Sequence, residues 1–336
     1  MPRINTAQAH LLVRKSLVNA GSSGIMAGAT ARALVGAEAA GWSGHGLSRV
    51  PMYAGFLRSG RADGKALPAI RAERGGTVLV DARHGLAYPA LEIAEAEAML
   101  RTREHGISFA GVTNSNHAGA LGIPVARMAE KGLVALAFAN SPASIPAPGG
   151  KRPFFGTNPV AAAFPRRDAP PLVIDLALSS VARGRIMKAA QQGEPIPEGW
   201  ALDAGGRPTT DAKAALSGTM LAAGGTKGAL LAMVVELLCA ALTGAALSVE
   251  ADSLFVEQGN RPRLGQAIIA IDPGALAGQD RFLDRVETLV AAMLEDEGVR
   301  LPGARRFAAE ARSEAEGMEI SAAMLETLEG LAGRKL

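Results

Sequence analysis

From Gly76 onward, short runs of β-branched and aliphatic residues, TVLVDA, ISFAGVTN and LVALAFAN, alternate with helical stretches at Leu91 to Glu104 and Ile123 to Lys131. That alternation constrains the chain more than any other feature, because it defines an α/β protein. The apolar runs PLVIDLAL from Pro171 and QAIIAIDP from Gln266 read as further buried strands, and PVAAAFP after Asn158 is bounded by prolines. Before Gly76 the pattern is helical. Thr6 is placed to cap a first helix, Gly21 to Gly24 break it, Ile25 to Ala40 form a second, and a short third follows the loop at His45. From Phe282 the chain is helical again. No internal repeat is visible, and the segment Gly193 to Gly206 is the best connector, followed by a short helix in TTDAKAAL capped by Thr209 or Thr210.

Several function classes are disfavoured by composition. The chain has 336 residues, 48% apolar and 20% charged, enough for one large or two intimate globular domains. Its single cysteine, Cys239, allows no internal disulfide and no cysteine-rich zinc site, which points to a reducing compartment. The N-terminal MPRINTAQAHLLVRKSL has no continuous apolar core of the secretory kind, so the expected location is cytoplasmic. Thirty-five basic residues are interspersed with 32 acidic ones and aromatics are only 4%, so no nucleic-acid partner is expected. Gly228 to Val249 is long and apolar enough to suggest a membrane span. Glu236 near its middle would cost ~2.5 kcal/mol or more, and Thr243, Gly244 and Ser248 interrupt it. It reads as a shorter buried helix, with no membrane partner.

Of the five histidines, His10, His84 and His105 fall on helix faces or ordinary turns, whereas His45 (SGHGLSR) and His117 (SNHAGALG) sit in glycine-rich polar loops. Neither has a second histidine or carboxylate at metal-ligand spacing, so no metal is expected. An imidazole titrates near neutrality, so it can protonate an oxygen or nitrogen as a hydride reaches the adjoining carbon. Arg49 and Tyr53 follow His45 at intervals of four, a spacing that places proton donor, anion clamp and phenol on one stripe if the segment is helical. Neither GxGxxG nor GxxxxGK[ST] is present, so a Rossmann-type fold is unsupported. In GGTKGALLAM, glycines and Lys227 open an apolar helix and could seat a phosphate. Asp175, inside PLVIDLAL, needs a partner or a ligand, and Thr157 and Asn158 form a tight polar turn before Pro159.

The ordered set GHGLSRVPMY, SNHAGALG, KRPFFGTNP, VIDLALS, GEPIPEGWALDAGGRPTTD and GGTKGALLAM resembles the malate/L-lactate dehydrogenase family of the second type, over about Ala7 to Leu331. That family includes sulfolactate and ureidoglycolate dehydrogenases and the piperideine-2-carboxylate/pyrroline-2-carboxylate reductases. The resemblance implies a mixed, largely antiparallel sheet wrapped by helices, not a Rossmann fold, that binds NADP(H) or NAD(H). It implies a homodimer with its site near the interface. It further implies a substrate and dimerisation domain of residues 1–118 plus 265–336, and a nicotinamide-nucleotide domain of residues 119–264. His117 becomes the acid/base, with His45 as a second donor; Arg49 holds the substrate carboxylate, with Tyr53, Ser141 and Thr157 beside it. The cofactor is lined by His117, Ala118, Gly119, Ala120 and Leu121, by Asp175, Leu176 and Ala177, and by Thr226 and Lys227, with Arg305 at its far end.

The implied reaction interconverts a small 2-oxo acid and its 2-hydroxy acid. Reduction of a cyclic imine, the 2-imino acid case, is the alternative, and a catalytically idle binding protein on the same scaffold is a third reading. Two departures bear on the choice. Gly44 stands where imine reductases of the family carry a serine beside the histidine, and the nearest hydroxyl, Ser43, is one residue away. Ser141 stands where ureidoglycolate enzymes carry an aspartate. The variants SGHGLSRVP and NSPASIPAPGG are most similar to the sulfolactate branch, and Arg183 and Arg185 are the candidates for a clamp on a second anionic group.

Overall fold

The helical N-terminus folds as α1 (Thr6–Asn19), α2 (Gly24–Ala39) and α3 (Val50–Ser59) in the computed structural model, which describes residues 2–333. The first cap lies one residue earlier than expected. Asn5, with extended backbone, accepts from the Gln8 amide at 2.8 Å, and the Gln8 side chain accepts from the Asn5 amide at 3.0 Å. Thr6 is already helical, so the capping position belongs to its neighbour.

The apolar runs join one seven-stranded sheet: β1 (Ala69–Arg74), β2 (Thr77–Asp81), β3 (Ile107–Ser115), β4 (Val134–Ala139), β5 (Val160–Phe164), β6 (Leu172–Leu176) and β7 (Leu264–Ile271). Their spatial order is β1-β2-β3-β7-β4-β5-β6. The β2–β3 pair is parallel, and α4 (Ala87–His105) makes the crossover that such a pair requires. All other neighbours in this sheet are antiparallel. The late strand β7 is inserted between β3 and β4, so strands from residues 1–118, 119–264 and 265–336 share one hydrogen-bonded ladder.

Each face of the sheet carries its own core. Helices α1 to α4 and α5 (Gly122–Glu130) bury Leu12, Leu34, Phe56, Leu121 and Met128 with Val80 and Ile268 on one face. The opposite face packs Phe138, Ile145, Val235, Cys239 and Ala267. Ala267 and Ile268 are adjacent in β7 and point to opposite cores, as the pleat demands. A fully buried Phe56 or Leu12 contributes roughly 2 kcal/mol of transfer free energy.

The remaining helices are α6 (Arg183–Gln192), α7 (Ala212–Leu216), α8 (Thr226–Glu236), α9 (Gln279–Leu294), α10 (Ala304–Glu316) and α11 (Ala322–Ala332). The cap of α7 is Asp211, whose carboxylate accepts from the Lys213 amide at 2.8 Å; Thr209 instead accepts from the Asp211 amide at 3.1 Å. The acidic side chain sits at the last extended residue, which gives it the free helical amides. The Gly228–Val249 segment corrects the expectation of a wholly buried helix. Helix α8 continues through a widened turn at Leu237–Ala241, and it buries only Gly228, Ala229, Ala232, Val235 and Glu236, then Cys239 and Ala240. Leu230, Leu231, Met233, Val234 and Leu237 face outward, because only the small-residue face approaches the sheet closely. No helix among the described residues is long and apolar enough to cross a membrane.

Candidate active site

Seven stretches of chain converge on a cavity of about 350 Å³, lined among others by Trp42, His45, Arg49, His117 to Ala120, Ser141, Thr157, Asp175 to Ala177, Arg183, Met220 and Phe255. His45 closes one tight turn (Ser43–His45) and Arg49 the next (Leu47–Arg49), immediately before α3. His117 follows β3 in the loop that leads to α5, where Asn116 accepts from the His117 amide at 2.8 Å and Gln266 of β7 donates to the Asn116 carbonyl at 3.1 Å. The two imidazoles, 72 positions apart in the chain, lie parallel with centroids 5.5 Å apart and planes 8° apart. Burial, followed by the Arg49 charge, pushes His45 down to about 4. Burial, Arg49 and His45 hold His117 well below its ordinary value. Both rings are therefore neutral at physiological pH, and a neutral ring can present either a donor or an acceptor nitrogen to the cavity.

Arg49 donates from Nε to the Gly44 carbonyl at 2.6 Å and lies over Phe255 at 5.8 Å. Arg183, at the start of α6, lies 5.4 Å from the centroid of the same phenyl ring and donates to the Leu216 carbonyl at 3.1 Å. Neither guanidinium has a carboxylate partner among the ion pairs of the described residues. Two unpaired cations in one cavity constitute an anion-binding arrangement. Arg185, by contrast, stacks on Trp200 at 5.1 Å and does not line the cavity.

The Thr157 turn is held from beneath. The Thr157 amide donates to Ser141 Oγ at 3.0 Å. Next to it, buried Asn158 donates from Nδ2 to Glu236 at 2.9 Å and to the Ala232 carbonyl at 2.9 Å. Glu236, the one charge between Gly228 and Val249, also accepts from the Ser248 amide at 2.5 Å and hydroxyl at 2.6 Å. Its burial is thus satisfied by hydrogen bonds.

Asp175 finds its partner at the start of α5, where Oδ2 accepts from the Gly122 amide at 2.7 Å. Burial raises its pKa against that hydrogen bond and the nearby Arg306 charge. A Cβ at Gly122 would come within 2.8 Å of the Trp42 ring and 3.0 Å of Asp175, so only glycine allows β6, Trp42 and α5 to meet here.

Five residues expected at the site do not line this cavity. Tyr53 is completely buried and does not line the cavity; its hydroxyl lies 2.7 Å from His117 Nδ1 and 2.9 Å from the Tyr88 hydroxyl. The expected stripe breaks because Arg49 belongs to a tight turn and α3 begins only at Val50. Leu121 is buried under the loop. Thr226 lines a separate cavity of about 400 Å³ with Gly149, Gly150, Ser180, Gly224 and Gly225, and Lys227 is exposed beside it. Arg305 is exposed, whereas Arg306 turns inward 4.0 Å from the Trp42 ring centroid. Trp42, Tyr88, Phe255 and Arg306 escaped sequence reasoning. Only Arg306 carried a signal, since Phe307 packs on the core and the inward stripe of α10 falls next to it. Among the described residues no three His, Cys, Asp or Glu side chains cluster so as to hold a metal ion.

The cavity thus joins two neutral histidines to two guanidinium groups without carboxylate partners, the groups needed for proton transfer beside a bound anion, and comparison with known proteins places the chain among oxidoreductases. The family profile described as malate/L-lactate dehydrogenase matches residues 4–329. The chain is 50% identical over 306 residues to the (2R)-3-sulfolactate dehydrogenase (NADP(+)) of Chromohalobacter salexigens, covering 90% of each chain. It is 40% identical over 323 residues to a Δ1-pyrroline-2-carboxylate/Δ1-piperideine-2-carboxylate reductase of Pseudomonas syringae pv. tomato, covering 96% and 94%. The crystal structure of the Δ1-piperideine-2-carboxylate reductase of that organism superimposes with a TM-score of 0.93 at 38% identity, over 98% and 100% of the two chains. Sulfolactate dehydrogenase of Methanocaldococcus jannaschii does so with 0.90 at 27% identity, over 99% and 98%. The protein belongs to the malate/L-lactate dehydrogenase family and is an NAD(P)-dependent oxidoreductase.

Proposed function

We propose that the protein interconverts a small 2-oxo acid carrying a second anionic group with the corresponding 2-hydroxy acid, of the malate or sulfolactate type. The observation that carries this reading is the pair Arg49 and Arg183, unpaired with any carboxylate and placed on one ring, Phe255, in the histidine cavity. One guanidinium takes the carboxylate and the other the distal anion. Ser141 and Thr157 supply hydroxyls, and His117 supplies the proton to the substrate oxygen with His45 stacked against it. The relative bearing the sulfolactate name points the same way. The cofactor supplies hydride to the substrate carbon. Its seat is the part of the cavity lined by Ala118, Gly119 and Ala120 and by Leu176 and Ala177, where the alanine and glycine side chains leave room for a flat ring. Ser179 lines that cavity and the next residue, Ser180, lines the separate one with Thr226, where Lys227 beside it would meet the phosphates. Arg306 takes the far-end role assigned to Arg305 by sequence. In this reading residues 119–264 form the cofactor unit and the flanking segments the substrate and dimerisation unit. The buried lone thiol Cys239 suits a reducing, cytoplasmic setting.

Cyclic imine reduction is the second reading, favoured by the 40% identical reductase. Gly44 speaks against it, and packing does not force that glycine, since a Cβ there meets nothing within 4 Å. The deciding experiment is oxidation of NADPH and NADH with pyruvate, oxaloacetate, sulfopyruvate, piperideine-2-carboxylate and pyrroline-2-carboxylate. Oxaloacetate or sulfopyruvate should win, and Arg183→Ala should raise KM for the winner ~10- to 100-fold while sparing pyruvate. His117→Ala should lower kcat by ~10²-fold or more with reduced cofactor still bound. Preference for the cyclic imines would overturn the oxo-acid reading.

A further inference from the structure

We propose that Tyr53 and Tyr88 are positioning residues that form a two-phenol donor chain holding His117 as the neutral Nε2–H tautomer, the form that gives a proton to the substrate. The inference rests on the reading of His117 as the acid/base and assigns how that role is set. His117 Nδ1 lies 2.7 Å from Tyr53 Oη, which lies 2.9 Å from Tyr88 Oη, so three polar atoms stand in a row away from the substrate cavity. Each phenol has one proton, and the row can be polarised in two ways.

Hydrogen-bond accounting separates them. If Nδ1–H donated to Tyr53, one phenol proton would be left with a poor acceptor or none: Tyr53 could turn only to the His117 carbonyl at 3.5 Å, beyond the ordinary length of an O–H···O bond, and if it donated to Tyr88 instead, the Tyr88 proton would have no acceptor among the described residues. The space beside that hydroxyl is taken by the Gly119 backbone, where a Cβ would lie only 2.5 Å from it. A buried donor without an acceptor costs roughly 1–3 kcal/mol. In the opposite polarity Tyr88 donates to Tyr53 and Tyr53 donates to Nδ1, so every proton in the row is used. The ring proton then sits on Nε2, the nitrogen left for the substrate cavity.

The surrounding charges act in the same direction. Arg49 and the stacked His45 are the titratable groups that bear on His117 besides the two phenols, and both disfavour an imidazolium, as burial does. Burial also pushes Tyr53 up to about 12 and Tyr88 further above its ordinary value, so both phenols keep their protons. A catalytic triad uses a carboxylate to accept Nδ1–H and make the other nitrogen a base. Here a phenol donates to Nδ1 and makes the other nitrogen an acid. When Nε2 gives its proton to the forming alkoxide, the Nε2–H bond breaks as the substrate O–H bond forms, and the negative charge left on the ring is stabilised by the hydrogen bond from Tyr53, whose phenol keeps its own proton. Water that enters as the product leaves returns a proton to Nε2 and restores the resting tautomer.

The test is nitrogen NMR of the full-length protein labelled with ¹⁵N-histidine, in which only five histidines report, combined with kinetics of two variants. The expected result for the unaltered protein is an acceptor-type Nδ1 and a protonated Nε2 for His117 from pH 6 to pH 9, with the assignment made from the His117→Gln spectrum. Tyr88→Phe keeps the ring and the packing but removes the terminal donor, so Tyr53 can turn. A mixture of His117 tautomers and a fall of about 10-fold in reductive kcat, with KM within about 2-fold, are expected. Tyr53→Phe should abolish the preference and raise the pH at which His117 protonates. A proton on Nδ1 in the unaltered protein, or a Tyr88→Phe variant with unchanged tautomer and kcat, would overturn the proposal. The tautomer is read without substrate, so this outcome is separate from that of the substrate panel.

Discussion

His45 and His117 are neutral because they are taken out of water beside a cation, and that has a consequence for stability that can be measured without any substrate. In the unfolded chain a histidine takes up a proton near its ordinary value of 6.5, whereas His45 in the fold resists until about 4. The unfolded state therefore binds more protons between those values, and stability that is complete above about 6.5 is lost as the pH falls toward 4. His45→Gln should flatten this part of the profile. Urea midpoints at pH 7 and pH 5 check it: a variant whose midpoint drops as much as that of the parent would show that the acid sensitivity lies elsewhere. The same residues show where the sequence was legible. Two histidines in glycine-rich loops and an arginine nearby were visible as candidates because loops of that composition do not occur for packing reasons. The direction of Tyr53 was not, because it depends on α3 starting after Arg49 and on Tyr88, 35 positions away in the chain.

At the level of elements, the site is anchored by polar contacts made inside apolar segments. Glu236 ties α8 to the Asn158 turn and to Ser248, and Asp175 ties β6 to the first amide of α5. Each was visible in the sequence as a charge out of place, but its partner was not, since hydrogen bonds over 12 to 78 positions have no local signature. Removing Glu236 leaves the Ser248 amide, the Ser248 hydroxyl proton and one of the two Asn158 Nδ2 protons without an acceptor in the core. Glu236→Ala should destabilise the fold by about 3 kcal/mol in urea unfolding. It should also raise KM, because the turn that carries Thr157 loses its support. An undiminished urea midpoint would count against the anchoring role.

At the scale of the whole molecule, the exposed face of α8 stands out. Leu231 is 55% exposed and Leu237 53%, with Leu230 before them, Met233 and Val234 between them and Leu242, Leu247 and Val249 beyond. Apolar faces of this kind mark interfaces, and the assignment to be tested is the homodimer that the family resemblance implies. Sedimentation should give twice the mass of one chain, and Leu231→Lys with Leu237→Lys should give one; a parent protein that sediments as a single chain would refute the assignment.

The sequence by itself determined the α/β class, the helical N-terminus, the two loop histidines, Arg49 and the buried charges Asp175 and Glu236, because each of these is written in local composition and periodicity. Only the tertiary structure decided that Asn5 and Asp211 cap where threonines were expected, that Arg306 and not Arg305 turns to Trp42, that Arg183 and not Arg185 joins Arg49, and that Tyr53 faces His117. The reason is common to all of them. Which way a side chain points follows from the residue at which an element begins and from what packs against it, and a shift of one residue turns a helical side chain by roughly 100°.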